Sequence, residues 1–251
     1  MSASLRETCA AAQSQLINSL GLEASDARLE AQLLLQTAAH KNRAWLIAHE
    51  GEALTDPIVQ AFEVLLTRRL QGEPIAYILG VREFYGLNLM VNQDTLIPRP
   101  DTETLVDAAL AKISNHAAAS ILDLGTGSGA IALALAKHRP QANVIAADAS
   151  LAALKIAEKN AQALAIDNVA FILSDWFSQV PQQQFDLIVS NPPYIEKNDI
   201  HLSLGDLRFE PLSALASGHD GLDDIRRIIE NSLLYLKPQK TQTNRLGGGN
   251  L

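Results

Sequence analysis

The sequence predicts an α/β protein, with an open and mostly parallel sheet behind a bundle of helices, and three observations predict it. Helix start and stop signals recur over residues 1–72 with apolar residues at helical spacing between them. Strand-like and helix-like segments then alternate from Ser120 onward, and the apolar runs of that region close on glycine, aspartate or asparagine. The chain has 251 residues, 47% hydrophobic and 19% charged, which is the range of soluble globular proteins with a sizeable core. Its single cysteine, Cys9, supports no disulfide framework and points to a reducing compartment, the cytoplasm. A net charge of −8 argues against a sequence-independent grip on phosphates, so no direct nucleic-acid partner is expected. No signal peptide is read at the start, and no apolar run reaches the roughly 20 residues of a membrane span.

Ser4 to Glu7 has the form of a capping box and Gly21 supplies a stop, which frames a first helix. A second starts near Ser25 and Asp26, with Leu29, Leu33 and Leu34 on one face. Asp56 and Pro57 read as an N-cap followed by a first-turn proline, and Val59, Phe62, Leu65, Leu66 and Leu70 form a stripe that stops at Gly72. Residues 73–100 change texture. Alternating apolar positions at Ile75–Ile78 and Leu87–Val91, with Gly86 between, predict a short hairpin that links two domains. Pro98 and Pro100 break regular structure, and Asp101 is placed to cap a helix through Leu105 and Leu110, opening a second domain over residues 101–251.

In that domain Ile121–Leu124, Asn143–Ala147, Val169–Leu173 and Phe185–Ser190 read as strands, with helices over Ala130–Lys137 and from a Ser150 cap to Gln162. Ligands of such sheets bind beyond the carboxyl ends of the strands. Asp123, Asp148, Asp175 and Asn191 each stand at the close of one strand, so four polar residues are expected along one edge. The turn DLGTGSG follows a strand and opens a helix, and its glycines allow a tight turn and close backbone approach to a ligand. The string GTGSGA also satisfies the nicotinamide and flavin fingerprint, and Asp148 suits a ribose hydroxyl in either case. Asp123 at the head of the turn would repel a pyrophosphate and suits a sulfonium or an ammonium. Asp175 and Trp176 offer an acceptor edge and an aromatic face to an adenine ring.

Asn191-Pro192-Pro193-Tyr194 directly follows the strand FDLIVS. Two successive prolines make a rigid extended turn and contribute no backbone donor. A planar NH2 group entering there meets the Asn191 side-chain oxygen and the Pro192 carbonyl, while Tyr194 lies against its plane. An amide nitrogen is a poor nucleophile because its lone pair is delocalised, and fixed acceptors on both N–H bonds favour the pyramidal form that attacks a methyl carbon. The six histidines are dispersed and fit no metal spacing.

The pairing of DLGTGSG with NPPY resembles class I S-adenosylmethionine-dependent methyltransferases that act on planar NH2 groups. With the helical first domain, the GEPIAYILGVREFYG linker and the LIPRPDTE segment, the chain resembles the PrmC/HemK family of peptide chain release factor glutamine methyltransferases from its first helix to Pro238. The resemblance implies a Rossmann-like sheet and S-adenosyl-L-methionine as cofactor. It implies that Gly125, Thr126, Gly127, Ser128 and Gly129 form the cofactor loop, that Asp148 holds the ribose hydroxyls and that Trp176 neighbours adenine, with Asn191 bordering both ligands. It further implies that Asn191, Pro192, Pro193 and Tyr194 hold the glutamine of the Gly-Gly-Gln loop for methylation at N5, Asn191, Pro192 and Tyr194 being catalytic, and that the helical domain docks the release factor. Glu210 and Pro211 in GDLRFEPLSAL are expected to border the site, and Glu103 to close over the cofactor.

The family pattern continues past Leu236-Lys237-Pro238 into further strands, whereas here Gln239 is followed by KTQTNRLGGGNL, which has no strand pattern. The expectation is a sheet lacking its last strands, with the strand before Asn191 as an exposed edge and reduced stability. Two other functions fit parts of the sequence: an adenine N6 methyltransferase, from NPPY, and a non-catalytic module that docks on a release factor.

Overall fold

The computed structural model describes residues 3–115 and 118–238. His116 and the tail 239–251 lie outside them, and so does the expectation that the closing strands are missing. Helix α1 (Leu5–Leu20) opens on the expected capping box: the Ser4 hydroxyl accepts from the Glu7 amide and the Glu7 carboxylate accepts from Ser4 N at 2.8 Å. It ends at Gly21, left-handed at φ 66°. Helix α2 (Ala24–Ala39) begins earlier than predicted, so Ser25 and Asp26 sit in its first turn and Glu23 occupies the cap position without a side-chain bond. Its core face also differs. Leu29 is exposed, and Ala27, Ala31, Leu34, Leu35 and Ala38 are buried, because small residues let α2 approach α1 and α4 closely.

A short helix α3 (Arg43–Ala48) carries no periodic signal in the sequence; Asn42 caps it, accepting from Trp45 N at 3.0 Å. Helix α4 (Asp56–Leu70) buries Phe62 and Leu66 along the expected stripe, with Thr55 in place of Asp56 as its cap.

The linker departs from the prediction at one point. Ile75–Leu79 is a helical turn, α5, rather than a strand, with Pro74 before it and Gly80 at φ 70° after it. A run of five apolar residues does not discriminate helix from buried strand by period. The hairpin is instead β1 (Val81–Phe84) with β2 (Leu87–Met90), joined by Tyr85 and Gly86 at φ 51° and 75°, the two positive values a type I′ turn requires. Phe84, Leu87 and Leu89 pack into the same core as the sheet. Helix α6 (Glu103–Lys112) is entered through a 3-10 turn at Pro100–Thr102, and its cap position is Thr102 without a side-chain bond, so Asp101 does not cap it.

From Ser120 onward strands and helices alternate as predicted: β3 (Ser120–Leu124), α7 (Ala130–His138), β4 (Asn143–Asp148), α8 (Leu151–Ala163), β5 (Val169–Leu173) and β6 (Leu187–Ser190). The strands are parallel in the order β5-β4-β3-β6. Phe185 stands just outside β6; it makes a parallel bridge to Leu236, donating to the Tyr235 carbonyl at 2.7 Å and accepting from Lys237 N at 2.9 Å. Tyr235 ends α9 (Asp223–Tyr235), an amphipathic helix whose Ile229, Leu233 and Leu234 are exposed. Helix α7 is buried from Ala130 to Ala136 between the sheet and α6. Gly129 enters it at φ 85°, where a Cβ would lie 3.0 Å from Leu133 Cδ1 and 3.2 Å from the Ala157 Cβ. Backbone conformation and helix packing therefore both require glycine there. Gly129→Ala is expected to destabilise the chain by about 1–3 kcal/mol, read as a lower urea midpoint at unchanged m-value.

Candidate active site

The register of the sheet sets the site. Leu124, the last residue of β3, is paired with Ala147 on β4 and with Ser190 on β6. The next residue of each strand, Gly125, Asp148 and Asn191, therefore emerges at the same level. The turn is then clamped to β4: Gly125 N and Thr126 N both donate to the Ala147 carbonyl, at 2.9 and 3.0 Å. Gly127 N donates to Asp148 Oδ2 at 2.8 Å, and Ser150 N donates to Oδ1 of the same carboxylate at 2.8 Å. Burial pushes the Asp148 carboxyl up from its ordinary value, against the amides of Ser150, Gly127 and Ala149, which favour the charged form. Each oxygen takes one backbone donor and keeps a lone pair for a further one.

Gly125, Gly127, Asp148, Trp176, Asn191 and Pro193 line a cavity of about 490 Å³, a size suited to a nucleoside-bearing ligand. The indole of Trp176 lies on the bare face of Gly125, where an added Cβ would come within 3.4 Å of Cζ3. A Cβ on Gly127 would meet no protein atom within 4 Å. Trp176 is left-handed at φ 50°, a strained conformation for a bulky residue. It is held there by Nε1 donating to Asp224 Oδ1 at 2.9 Å and by its carbonyl accepting from the Ser174 hydroxyl at 2.7 Å.

Beyond β6, the Ser190 hydroxyl donates to the Leu124 carbonyl at 2.7 Å, and Ile195 forms a bridge to Ala216 through Ile195 N to Leu215 O at 3.0 Å and Ser217 N to Ile195 O at 2.9 Å. The NPPY turn is thus anchored on both flanks. Gly221 passes so close that a Cβ would sit 2.3 Å from the Tyr194 carbonyl oxygen. Among the described residues, no protein hydrogen bond engages the Asn191 amide or the Pro192 carbonyl.

Not all of the expected residues line this cavity. Thr126, Ser128, Gly129, Pro192 and Tyr194 do not line the cavity. The Thr126 hydroxyl is buried on Asp123, the Ser128 carbonyl accepts from Asn160 Nδ2 at 2.9 Å, Gly129 packs against α8, and Tyr194 is 62% exposed. Asp123 is not at the edge at all. It is fully buried, with Oδ2 accepting from Thr126 Oγ1 at 2.7 Å and Ala132 N at 3.2 Å, and Oδ1 without a partner among the described residues. It braces the turn from beneath rather than facing a ligand. Asp175 does line the cavity, but its carboxylate is forked to Arg227 with both bonds at 2.9 Å. Glu103 accepts from Tyr85 N at 3.0 Å and so holds the hairpin turn, away from the cavity. Asp224 is the residue sequence reasoning missed, because its partner Trp176 lies 48 positions away and nothing local marks the pair.

Residues 12–80 match the family described as the PrmC N-terminal domain, and residues 102–210 match the Methyltransferase small domain. The release factor glutamine methyltransferase of Escherichia coli (strain K12) is 51% identical over 212 residues, 84% of this chain and 76% of that protein. The chain belongs to the release factor glutamine methyltransferase family. The enzymes of that name from Xylella fastidiosa (strain 9a5c) and Bordetella pertussis are 49% identical over 211 residues and 52% over 206, covering 77% and 74% of their own lengths. As a member of the family the chain is an S-adenosylmethionine-dependent methyltransferase with a Rossmann-like sheet, and these relatives do not support the adenine alternative.

The buried Asp123 has a consequence for stability. Burial pushes its carboxyl up to about 7, with the Asp148 charge adding to the push and the Thr126 hydroxyl and Ala132 amide opposing it. An acid whose folded pKa exceeds its unfolded value near 3.8 holds its proton more tightly in the native chain. That stabilisation is complete below about pH 4 and is lost as pH rises to about 7. The difference in unfolding free energy between the parent and Asp123→Asn is expected to fall with a slope of up to about 1.4 kcal/mol per pH unit across that window, then to flatten. Urea titrations at stepped pH measure it.

Proposed function

We propose that the chain transfers a methyl group from S-adenosylmethionine to the side-chain amide nitrogen, N5, of the glutamine in the Gly-Gly-Gln motif of peptide chain release factors. The observation that carries this reading is the NPPY turn, anchored on both flanks, with Asn191 and Pro193 forming a wall of the same cavity as Asp148 and Trp176. The names of the relatives supply the substrate class.

The residues present fit the cofactor. Asp148 would accept from the ribose hydroxyls with the lone pairs its backbone donors leave free, and its amide partners keep the carboxylate from turning away. Trp176 would offer its aromatic face to the adenine ring, and the bare Gly127 would leave room at the backbone. The cofactor supplies an electrophilic methyl carbon on a sulfonium. Thr126, Ser128 and Gly129 shape the loop from behind rather than touching the ligand.

On the substrate side, Asn191 Oδ1 and the Pro192 carbonyl accept the two N–H bonds of the amide. Fixing both N–H bonds weakens conjugation of the nitrogen lone pair with its own carbonyl and lets the nitrogen pyramidalise. The prolines hold these acceptors in place before substrate arrives, so no reorganisation is needed at the moment of reaction. Tyr194, largely exposed, lies against the amide plane. The nitrogen becomes acidic only as its new bond forms, and the surplus proton passes to solvent without a strong base. The helical bundle of α1–α4 docks the body of the release factor. No helix among the described residues is long and apolar enough to cross a membrane.

Incubation of a release factor with the chain and S-adenosylmethionine is expected to add one methyl group to the Gly-Gly-Gln peptide, read by mass spectrometry; an unmodified glutamine would sink the reading. Asn191→Ala is expected to lower kcat by about 10²–10³, as loss of one preorganised hydrogen-bonding group does elsewhere. Asp148→Asn is expected to weaken cofactor binding about tenfold in calorimetry, the loss of one charge-assisted hydrogen bond.

A further inference from the structure

The helical bundle and the sheet domain meet at a seam that two arginines cross in opposite directions. Arg69, in the last turn of α4, is buried; its Nε and Nη2 donate to Glu30 at 2.7 and 3.2 Å, and Nη1 donates to the Glu73 carbonyl at 3.1 Å. The same Nη1 lies 3.5 Å from Asp206 Oδ1 on the far side of the seam. Arg208 reaches the other way, its Nη2 donating to the Gln71 carbonyl at 2.9 Å. Its guanidinium fills the space over Gly72, where a Cβ would stand 1.8 Å from Nη2. Gly72 is left-handed at φ 91°, so this socket exists because residue 72 has no side chain. Both arginines therefore hold the single 3-10 turn Gly205–Phe209.

That turn runs straight into the cavity wall. Phe209 packs with Ala76, Tyr77, Val91 and Ile97. Glu210 is buried, accepting from Ile97 N at 3.0 Å and pairing with Arg99. Pro211 and Ala214 then line the cavity, as do Asp94 and Thr95, whose strand of chain is tied to α5 by the Tyr77 hydroxyl donating to the Thr95 carbonyl at 2.6 Å. Seam and cavity rim form one continuous hydrogen-bonded unit. Arg208 and Asp206 themselves do not line the cavity.

We propose that Arg208, with Arg69 and Asp206, is a positioning device that sets the angle between the helical bundle and the NPPY turn, and thereby selects a folded protein substrate that must reach both at once. This rests on the release-factor reading above. A bivalent contact gains affinity only when the two surfaces are held at the spacing of the partner. Loosening the seam therefore weakens capture of the whole protein and leaves the chemistry at the cavity alone.

The test uses the full chain with an intact release factor, resolving kcat, KM and the cofactor Kd for Arg208→Ala and Asp206→Asn. The second variant alters a half-exposed carboxylate and leaves no void, so it keeps the test valid if the first fails to fold. The expected result is a KM for the release factor raised about tenfold by Arg208→Ala and by a smaller factor by Asp206→Asn, with kcat and cofactor Kd within about twofold of the parent. An unchanged KM in both variants beside an active parent overturns the proposal. A fall in cofactor affinity parallel to the rise in KM also overturns it, since the turn would then be a wall of the cavity and nothing more. A parent that binds cofactor but methylates no release factor overturns the release-factor reading itself, and this inference with it.

Discussion

Leu124 is paired in register with Ala147 on one side and with Ser190 on the other, and the chemistry of the protein depends on that double pairing. It brings three residues from distant stretches of sequence, Gly125, Asp148 and Asn191, to one level at the carboxyl edge of a parallel sheet. In an open sheet of this kind the helices leave in different directions beyond the strand ends, and a crevice opens at that edge. The Ala147 carbonyl then takes two successive amides of the glycine turn, and Asp148 takes a third. A slip of the register would separate the cofactor loop from the NPPY turn and turn every side chain of the strand to the opposite face.

The aromatic wall beside the glycine turn is held by pairs that no local rule anticipates. Trp176 stays in a strained conformation because Asp224, at the start of α9, accepts from its indole, while Arg227 one turn on forks to Asp175. The fork is exposed and contributes little stability. Its value is geometric, since it fixes α9 against the loop that carries the aromatic face. The rim on the other side depends on Glu210, whose buried carboxylate joins the linker at Ile97 and Arg99 to the segment that lines the cavity. Burial pushes the Glu210 carboxyl up, and the Ile97 amide and Arg99 guanidinium offset that cost.

The carboxylates of the sheet edge show how one residue type takes different roles from its surroundings. Asp148 sits at the rim with two backbone donors and lone pairs to spare. Asp123, in a dry interior beneath the same turn, braces Thr126 and the first turn of α7 and carries a carboxyl that titrates near neutrality. Both were expected at the edge. The distinction is one of level: Asp123 is in register with Ala146, two residues before Asp148, so it lies beneath the turn on the same face of the sheet, whereas Asp148 ends β4 at the edge.

By itself the sequence determined the N-terminal helices, the alternation of strands and helices, the glycine turn and the NPPY turn. Those features rest on short-range constraints: positive φ at glycine, restricted φ at proline, a capping box at Ser4 and apolar periods of 2 and 3.6 residues. It left the NPPY turn ambiguous between an amide and an adenine, because both present a flat NH2 group. It also misplaced Ile75–Ile78, too short for a period to decide, and the buried face of α2, where Ala27, Ala31 and Ala38 join Leu34 and Leu35 in the core while Leu29 faces out. Only the tertiary structure decided which of the turn's residues reach the cavity, that Asp123 is interior, that Asp224 supports Trp176, and that Arg69 and Arg208 cross the seam between domains. Each of these is a contact between residues far apart in the chain, and its energy comes from burial and from hydrogen-bond partners that exist only once the strands are in register and the helices are packed.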